Sequence, residues 1–164
     1  TQYRLRMKVN PLDDPDVADP LDDPAPQKLH PFITQVLDLT NVERINAGLA
    51  PLTLDTQLNQ AAQLHSENMG NGDFFDHIGL DGSTPFDRIT ATGYELSTYA
   101  ENIAAGYSTP EGVVTAWMNS PGHRANILNP SLNEIGIGFY ELANDVGNLN
   151  YTYYWAQSFA TPFS

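Results

Sequence analysis

Cysteine is absent from this sequence of 164 residues. Its absence excludes disulfide bonds, thiolate metal sites and a thiol nucleophile, so any metal-binding or catalytic chemistry must use other side chains. Small domains secreted by animals and plants usually carry disulfides, whereas exported bacterial proteins commonly do without them. We therefore expect a protein of bacterial origin.

Basic residues are also scarce. Seven lysine and arginine residues stand against twenty acidic ones, which gives a formal net charge of −13 and an isoelectric point near 4.3. Such a balance repels nucleic-acid phosphates and anionic lipid surfaces, so we predict neither as a partner. No apolar run approaches the length that crosses a bilayer, and we expect no membrane insertion.

Two regions differ in composition: residues 1–28, an N-terminal strand followed by an extended Pro/Asp-rich arm, and residues 29–164, one compact domain. From Tyr3 to Val9 apolar and basic residues alternate, the period of a half-exposed strand. The prolines after Asn10 exclude helix and central strand. The strand can pack on its own domain or on a neighbouring subunit, where it would build a homo-oligomer or polymer.

Helix start and stop signals divide the first part of the domain. The first predicted helix opens at Pro31 and ends at Gly48, and the second is capped by Asp55. The first buries one stripe, Ile33, Val36, Leu37, Asn41 and Ile45. The second buries Leu58, Ala61, Ala62, His65 and Met69. Three shorter helices are predicted after Thr84, after Thr109, and from Gly122 to Leu128 with Ser120 as its cap.

The last third of the chain has the period of strands. Apolar residues alternate from Ile135 to Phe139 and again from Tyr151 to Phe159, with a turn-rich segment between them. This pattern predicts an antiparallel hairpin packed on one face, with Tyr154 turned outward toward a binding surface. Because helices precede the strands rather than alternate with them, we predict an α+β fold.

Two of the four histidines lie at junctions between predicted elements. His77 precedes a glycine-rich loop, and His123 follows Pro121 and Gly122 at a helix start, where the helix dipole favours a neutral imidazole. Glu101 enters an apolar stretch and needs a partner, because burial of an unpaired carboxylate is unfavourable. Two imidazoles and a carboxylate can hold a divalent metal or move protons, although their spacings match no local metal motif.

The remaining polar residues near these positions are interpreted as structural. His30 is expected in solvent, and His65 at the edge of the core with one hydrogen bond. Asn102 and Gln157 are expected to satisfy local backbone groups. Acidic residues of the loop after the second helix, Asp76 and Asp81, are expected to cap turns.

Several stretches form one ordered set of motifs. They are Asn41–Arg44 with Leu52–Asp55, Ala61–Met69 running to Phe75–His77, Asp81–Arg88, Ala100–Ala104, and Trp117–Leu128. In this order they resemble a bacterial-type domain of the CAP superfamily, which includes sperm-coating, antigen 5 and pathogenesis-related 1 proteins. The resemblance extends from residue 33 to about residue 160, and the last motif is highly specific.

The resemblance implies a three-layer α/β/α sandwich with a mostly antiparallel central sheet and a wide cleft. In many members that cleft holds two histidines and two glutamates that bind zinc or another divalent cation. His77 matches the first histidine, Glu101 the acid of the Gly-Glu-Asn motif, and His123 the histidine of the Gly-His motif. Ala100 replaces the usual glycine, and Ser120 stands where the second glutamate lies. We therefore expect a metal site of three residues, His77, Glu101 and His123.

Three functions remain as alternatives. The favoured one is a secreted or cell-surface protein whose cleft binds a divalent cation and an extracellular ligand (a lipid, an envelope glycan or a peptide) without catalysis. The second is a metal-assisted peptidase or esterase in which Glu101, as the catalytic residue, and the cleft histidines activate water. The third is a structural subunit that assembles through residues 1–28.

Overall fold

The structure, a computed structural model, describes residues 28–164. Its elements in chain order are α1 (Pro31–Asn46), β1 (Thr53–Leu54), α2 (Thr56–Gly72), α3 (Pro85–Ala91), β2 (Leu96–Ala105), α4 (Pro110–Met118), α5 (Pro121–Ile127), β3 (Glu134–Glu141) and β4 (Tyr153–Pro162). The predicted N-terminal strand and all of the arm before Lys28 lie outside the described residues. Within the described range, no helix is both long and apolar enough to cross a membrane.

The four strands form one mixed sheet in the order β1-β3-β4-β2. Strands β3 and β4 form the predicted antiparallel pair, with Ile137 opposite Gln157. Strand β4 also pairs antiparallel with β2, where Glu101 lies opposite Ser158, and the short β1 runs parallel to β3. The sequence patterns did not predict β1 or β2. The mostly antiparallel sheet and the α+β class are confirmed.

Helices cover both faces of the sheet, which confirms the α/β/α sandwich. On one face Trp155 and Phe159 of β4 enter a core built with α1, α4 and α5. On the other face Tyr154 and Ala156 pack against α2. The prediction that the hairpin packs on one face, with Tyr154 outward, is therefore wrong. Tyr154 is fully buried because α2 supplies a second helical layer there.

Helix α2 lies unusually close to β3 because two glycines face it. A Cβ atom added to Gly136 would overlap the backbone of Leu58, and one added to Gly138 would overlap the carbonyl of Ala62. No other residue type leaves room for this approach. The close contact fixes α2, and with it His65, against the sheet.

Most predicted helix ends are confirmed. Asp55 accepts a hydrogen bond from the Leu58 amide, and Thr84 and Asp87 form the reciprocal capping box of α3. Ser120 occupies the predicted N-cap position of α5, and its carbonyl accepts from the Arg124 amide, but its side chain makes no capping hydrogen bond. Its side chain instead lines a pocket described below.

The residues that α1 buries differ from those that its apolar pattern predicted. Ile45 is exposed, whereas Thr40 and Arg44 are buried. Arg44 can be buried because carbonyl groups surround its guanidinium. It donates to the carbonyl oxygens of Ala50, Ile127, Asn129 and Leu132 at 2.8–3.2 Å. This side chain joins the loop after α1 to the loop after α5 and fixes the position of α5.

Candidate functional site

Glu101 lies at the centre of a cluster of charged side chains on β2. Its side chain is 3% exposed, and its Oε1 atom lies 2.8 Å from Nδ1 of His77. The other carboxylate oxygen, Oε2, accepts a hydrogen bond of 2.7 Å from Nη2 of Arg88. The predicted need of Glu101 for a partner is therefore met twice, by an imidazole and by a guanidinium.

Arg88 was not among the sequence-predicted site residues. It lies on α3, and its side chain is 5% exposed. In addition to Glu101, Nη2 contacts the carbonyl of His77 at 2.8 Å, and Nη1 contacts the carbonyl of Ser83 at 3.0 Å. One guanidinium thus links α3, the loop that carries His77, and β2. The sequence held one signal for it, because only four basic residues follow residue 27 and a buried acid requires a cation.

His65, on α2, lies deeper in the same cluster. It is fully buried, and its Nε2 atom lies 2.8 Å from the carbonyl of Asp76 and 3.9 Å from Oε1 of Glu101. A carbonyl only accepts, so Nε2 carries the hydrogen, and Nδ1 finds no partner among the described residues. Burial lowers the pKa of His65, which keeps the ring neutral. The single hydrogen bond predicted for His65 is confirmed.

His77 lies in the loop between α2 and α3, and its side chain is 49% exposed. The hydrogen bond to Glu101 is the main reason that the pKa of His77 is raised. Because Nδ1 faces Glu101, Nε2 is the ring nitrogen left for an external ligand. The loop acids support this conformation as predicted, since Asp76 accepts from the Ile78 amide and Asp81 from the Ser83 amide.

His123 occupies the first turn of α5, and its imidazole is partly buried. Burial first, and then the charge of His77, lower its pKa, in the direction predicted for a neutral imidazole. The carbonyl of His123 accepts from Asn102, whose own amide oxygen accepts from Asn126. Asn102 also donates to Gln157 on β4. Asn102 and Gln157 therefore do more than satisfy local backbone, because Asn102 ties α5 to the sheet and Gln157 also donates to Thr40 of α1.

A pocket of about 280 Å³ opens beside His123. Apolar residues of β2 and α4, including Trp117, line it together with Ser120 and His123. Three aromatic side chains also line it, Phe75, Tyr107 and Tyr151, and each is 40–43% exposed. Exposed aromatic rings beside polar side chains are typical of small-ligand sites.

Loop contacts hold two of these aromatic residues in place. Asp73 adopts a left-handed conformation at the end of α2 and accepts hydrogen bonds from the amides of Asn148 and Leu149. These contacts connect the segment that carries Phe75 to the segment that carries Tyr151, and the two rings lie 6.2 Å apart between centroids. The pocket wall is thus built by the two loops together.

The three predicted site residues are only partly brought together. Glu101 contacts His77 directly, while the structure gives no hydrogen bond between Glu101 and the His123 ring among residues 28–164. In this part of the chain, no group of three or more histidine or acidic side chains is placed to hold a metal ion. Both imidazoles are suitable metal donors, but Glu101 does not fit as a ligand because a guanidinium occupies one of its oxygens. Metal binding itself stays a prediction.

Comparisons with known proteins identify the family and the fold of the chain. The sequence model of the family described as "CAP: Cysteine-rich secretory protein family" matches residues 37–159. The chain is 44% identical over 117 residues to uncharacterized protein YkwD of Bacillus subtilis, covering 71% of this chain and 46% of YkwD.

Two solved structures are also similar. An extracellular protein containing a SCP domain from Bacillus anthracis superposes with a TM-score of 0.69 at 28% identity, over 81% of this chain and 44% of that one. An outer surface protein of Borrelia burgdorferi superposes with a TM-score of 0.71 at 22% identity, over 79% of this chain and 92% of that one, a likeness of fold. The chain spans less than half the length of YkwD and of the Bacillus anthracis protein.

Proposed function

The chain belongs to the cysteine-rich secretory protein (CAP) family, and from this premise we propose that it is an extracellular binding module. The observation that carries the proposal is the pocket beside His123, with its three partly exposed aromatic side chains. An extracellular location is supported by the relative from Bacillus anthracis, which is described as an extracellular protein.

The pocket favours a neutral ligand group with one apolar face. Aromatic rings bind such a face by stacking, and Ser120 and His123 offer hydrogen bonds at the edge. A volume of about 280 Å³ suits one sugar ring or one side chain rather than a whole acyl chain. Of the ligand classes expected from the sequence, an envelope glycan or a peptide therefore fits better than a lipid.

A divalent cation such as zinc is the second component of the proposal. The imidazoles of His77 and His123 would hold it, with Glu101 behind His77 fixing the ring through Nδ1. When bound, the ion would supply a Lewis-acid contact for an oxygen of the ligand. Isothermal titration of zinc into the wild type and into His77→Ala/His123→Ala tests this component. Equal affinity of the two proteins would refute it.

Catalysis has less support than binding. A general base must reach water, but Glu101 is 3% exposed and both of its oxygens accept hydrogen bonds from protein groups. Assembly through residues 1–28 is a separate proposal, and its residues lie almost entirely outside the described part of the chain. Deletion of residues 1–28 followed by measurement of mass in solution tests it, and an unchanged mass would remove it.

Ligand binding can be measured through Trp117, which lines the pocket. Soluble envelope glycan fragments and peptide libraries would be titrated in the presence of a chelator, with fluorescence as the readout. We expect Phe75→Ala and Tyr151→Ala to weaken binding of the ligand found by about tenfold or more, because each removes a stacking surface. Tyr99→Ala is the matched control, since Tyr99 is 43% exposed but does not line this pocket. Unchanged affinity in both pocket variants would contradict the proposed site.

A further inference from the structure

The cluster around Glu101 holds a cation of its own. A buried carboxylate is stable only when positive charge or several donors compensate it, and either a guanidinium or a metal ion can do so. Here the guanidinium of Arg88 does so at 2.7 Å, with both side chains almost completely buried. Among residues 28–164, each basic side chain that lies within ion-pair distance of an acidic one, namely Arg88, His77 or His65, faces Glu101.

Arg88 is fixed in this position by more than its charge. The carbonyls of His77 and Ser83 accept from its two terminal nitrogens, so the guanidinium is held by three segments at once. A metal ion that approached Oε2 of Glu101 would have to displace these bonds. It would also come within a few ångströms of a fixed positive charge, in surroundings where water screens little.

The other oxygen of Glu101 is equally engaged. Oε1 lies 2.8 Å from Nδ1 of His77 and 3.9 Å from Nε2 of His65. If the guanidinium were absent, Oε2 of Glu101 would be free, and the neutral His77 ring beside it could present a nitrogen. A carboxylate oxygen and an imidazole nitrogen are donors that zinc accepts, whereas Nε2 of His65 is already committed to the carbonyl of Asp76.

We propose that Arg88 is the specificity-determining residue of this cluster: it acts as an internal counter-ion that takes the place of a metal at Glu101. In the wild type Glu101 serves only as a hydrogen-bond acceptor for His77 and Arg88. Removal of the guanidinium frees the carboxylate for a metal ion. The inference concerns Glu101 alone and does not depend on which ligand enters the pocket beside His123.

The test measures zinc affinity by isothermal titration at about pH 7.5, where a neutral imidazole can bind the metal. The proteins are the wild type, Arg88→Met, the double variant Arg88→Met/Glu101→Gln, and Lys28→Met, which removes one exposed positive charge elsewhere. Arg88→Met should bind zinc at least about tenfold more tightly than the wild type, a change within the range that groups surrounding a metal site exert. The double variant should lose that gain, and Lys28→Met should not show it.

Two results would overturn the inference: equal zinc affinity in the wild type and Arg88→Met, or a gain that persists in the double variant. Arg88→Gln is the second variant, because it removes the charge while its neutral amide can still donate a hydrogen bond in this region. Its zinc affinity should also rise above that of the wild type. If Arg88→Met unfolds without metal, zinc should restore its circular dichroism spectrum. Failure of zinc to do so, with no gain in Arg88→Gln, would also reject the proposal.

These outcomes are separate from those of the proposed function. Ligand titrations are made with a chelator present, so their failure leaves the zinc series intact. Conversely, changes at His77 and His123 would abolish any zinc binding proposed for the wild type, whereas the predicted gain in Arg88→Met requires Glu101.

Discussion

Two arginines are buried in this domain, and the protein holds them in opposite ways. Arg44 donates only to backbone carbonyls, and among the described residues no carboxylate lies within ion-pair distance of it. Arg88 donates to two carbonyls and also to the buried carboxylate of Glu101. Backbone dipoles therefore compensate the charge of Arg44, whereas an anion helps to compensate the charge of Arg88.

The contacts of Arg44 are purely structural, whereas those of Arg88 include groups that can titrate or bind a ligand. The contacts of Arg44 join two loops and contain no group that titrates near neutral pH. The contacts of Arg88 include His77 and Glu101, and His65 lies close to the same carboxylate. Changes of pH, of metal or of one charge should therefore act on the Arg88 region and leave the Arg44 region unaffected.

The largest expected effect is loss of the Arg44 contacts. Arg44→Met should lower the free energy of unfolding by about 3–5 kcal/mol, because it leaves carbonyls without donors, two of them at buried hydrogen bonds. Urea unfolding measures the change. The matched control is Arg124→Met, an exposed arginine whose replacement should change stability by less than about 0.5 kcal/mol. A small loss of stability in Arg44→Met would mean that water molecules replace the guanidinium as hydrogen-bond donors to these carbonyls.

The next largest effect tests how much the pairing of Arg88 with the carboxylate of Glu101 contributes to stability. Arg88→Met and Glu101→Leu should each lower stability by about 2–4 kcal/mol, because each leaves one buried charge without its partner. The double variant should be more stable than the sum of the two losses by about 1–3 kcal/mol, since it contains neither charge. Unfolding of all four proteins in urea gives the coupling free energy. Simple additivity would show that the ion pair contributes nothing beyond its separate contacts.

Local sequence signals account for much of the fold. The caps at Asp55, Thr84 and Thr109 lie within a few residues of the helices they begin, so position alone predicts them. Strand β2 carries no such signal. Its small and polar residues from Leu96 to Ala105 do not alternate with apolar ones in the way that predicts a strand with one buried face. Tyr154 was misplaced for a related reason: alternation predicts two faces but does not say that both are covered.

Local sequence signals likewise account for only part of the candidate site. Burial arguments predicted that Glu101 needs a partner, and the structure supplies one. They did not identify Arg88, which is thirteen residues away and is brought close only by packing of α3 against β2. Arg44 shows the same limit, because its acceptors lie more than eighty residues away apart from Ala50. Choosing which basic residue enters the core requires the tertiary structure.

A smaller effect comes from the buried histidine of the Arg88 region. Burial lowers the pKa of His65 in the folded protein, so the unfolded chain binds more protons. The stability that His65 contributes is therefore present above its unfolded pKa of about 6.5 and is lost as pH falls below it. The slope cannot exceed about 1.4 kcal/mol per pH unit for one group.

Urea unfolding between about pH 8 and about pH 5, a range that spans the unfolded pKa of histidine, tests this dependence. His65→Gln should flatten the decline, whereas Arg44→Met should lower the whole curve without changing its slope. His77 acts in the opposite sense, because its raised pKa gives stability that is lost as pH rises through the folded value. That contribution is small because the ring is half-exposed. An unchanged slope in His65→Gln would assign the acid sensitivity to another group.

The smallest effect is also the most specific to the Arg88 region. The hydrogen bond that His77 donates to Glu101 is the main cause that raises the pKa of His77, whereas the charge of Arg88 lowers it. Titration of the imidazole resonances by NMR should therefore show a lower pKa in Glu101→Gln and a higher one in Arg88→Met. Arg44→Met should leave it unchanged. If Glu101→Gln and the wild type titrated alike, the contact of 2.8 Å would have no electrostatic consequence, and the contrast between the two arginines would reduce to one of stability alone.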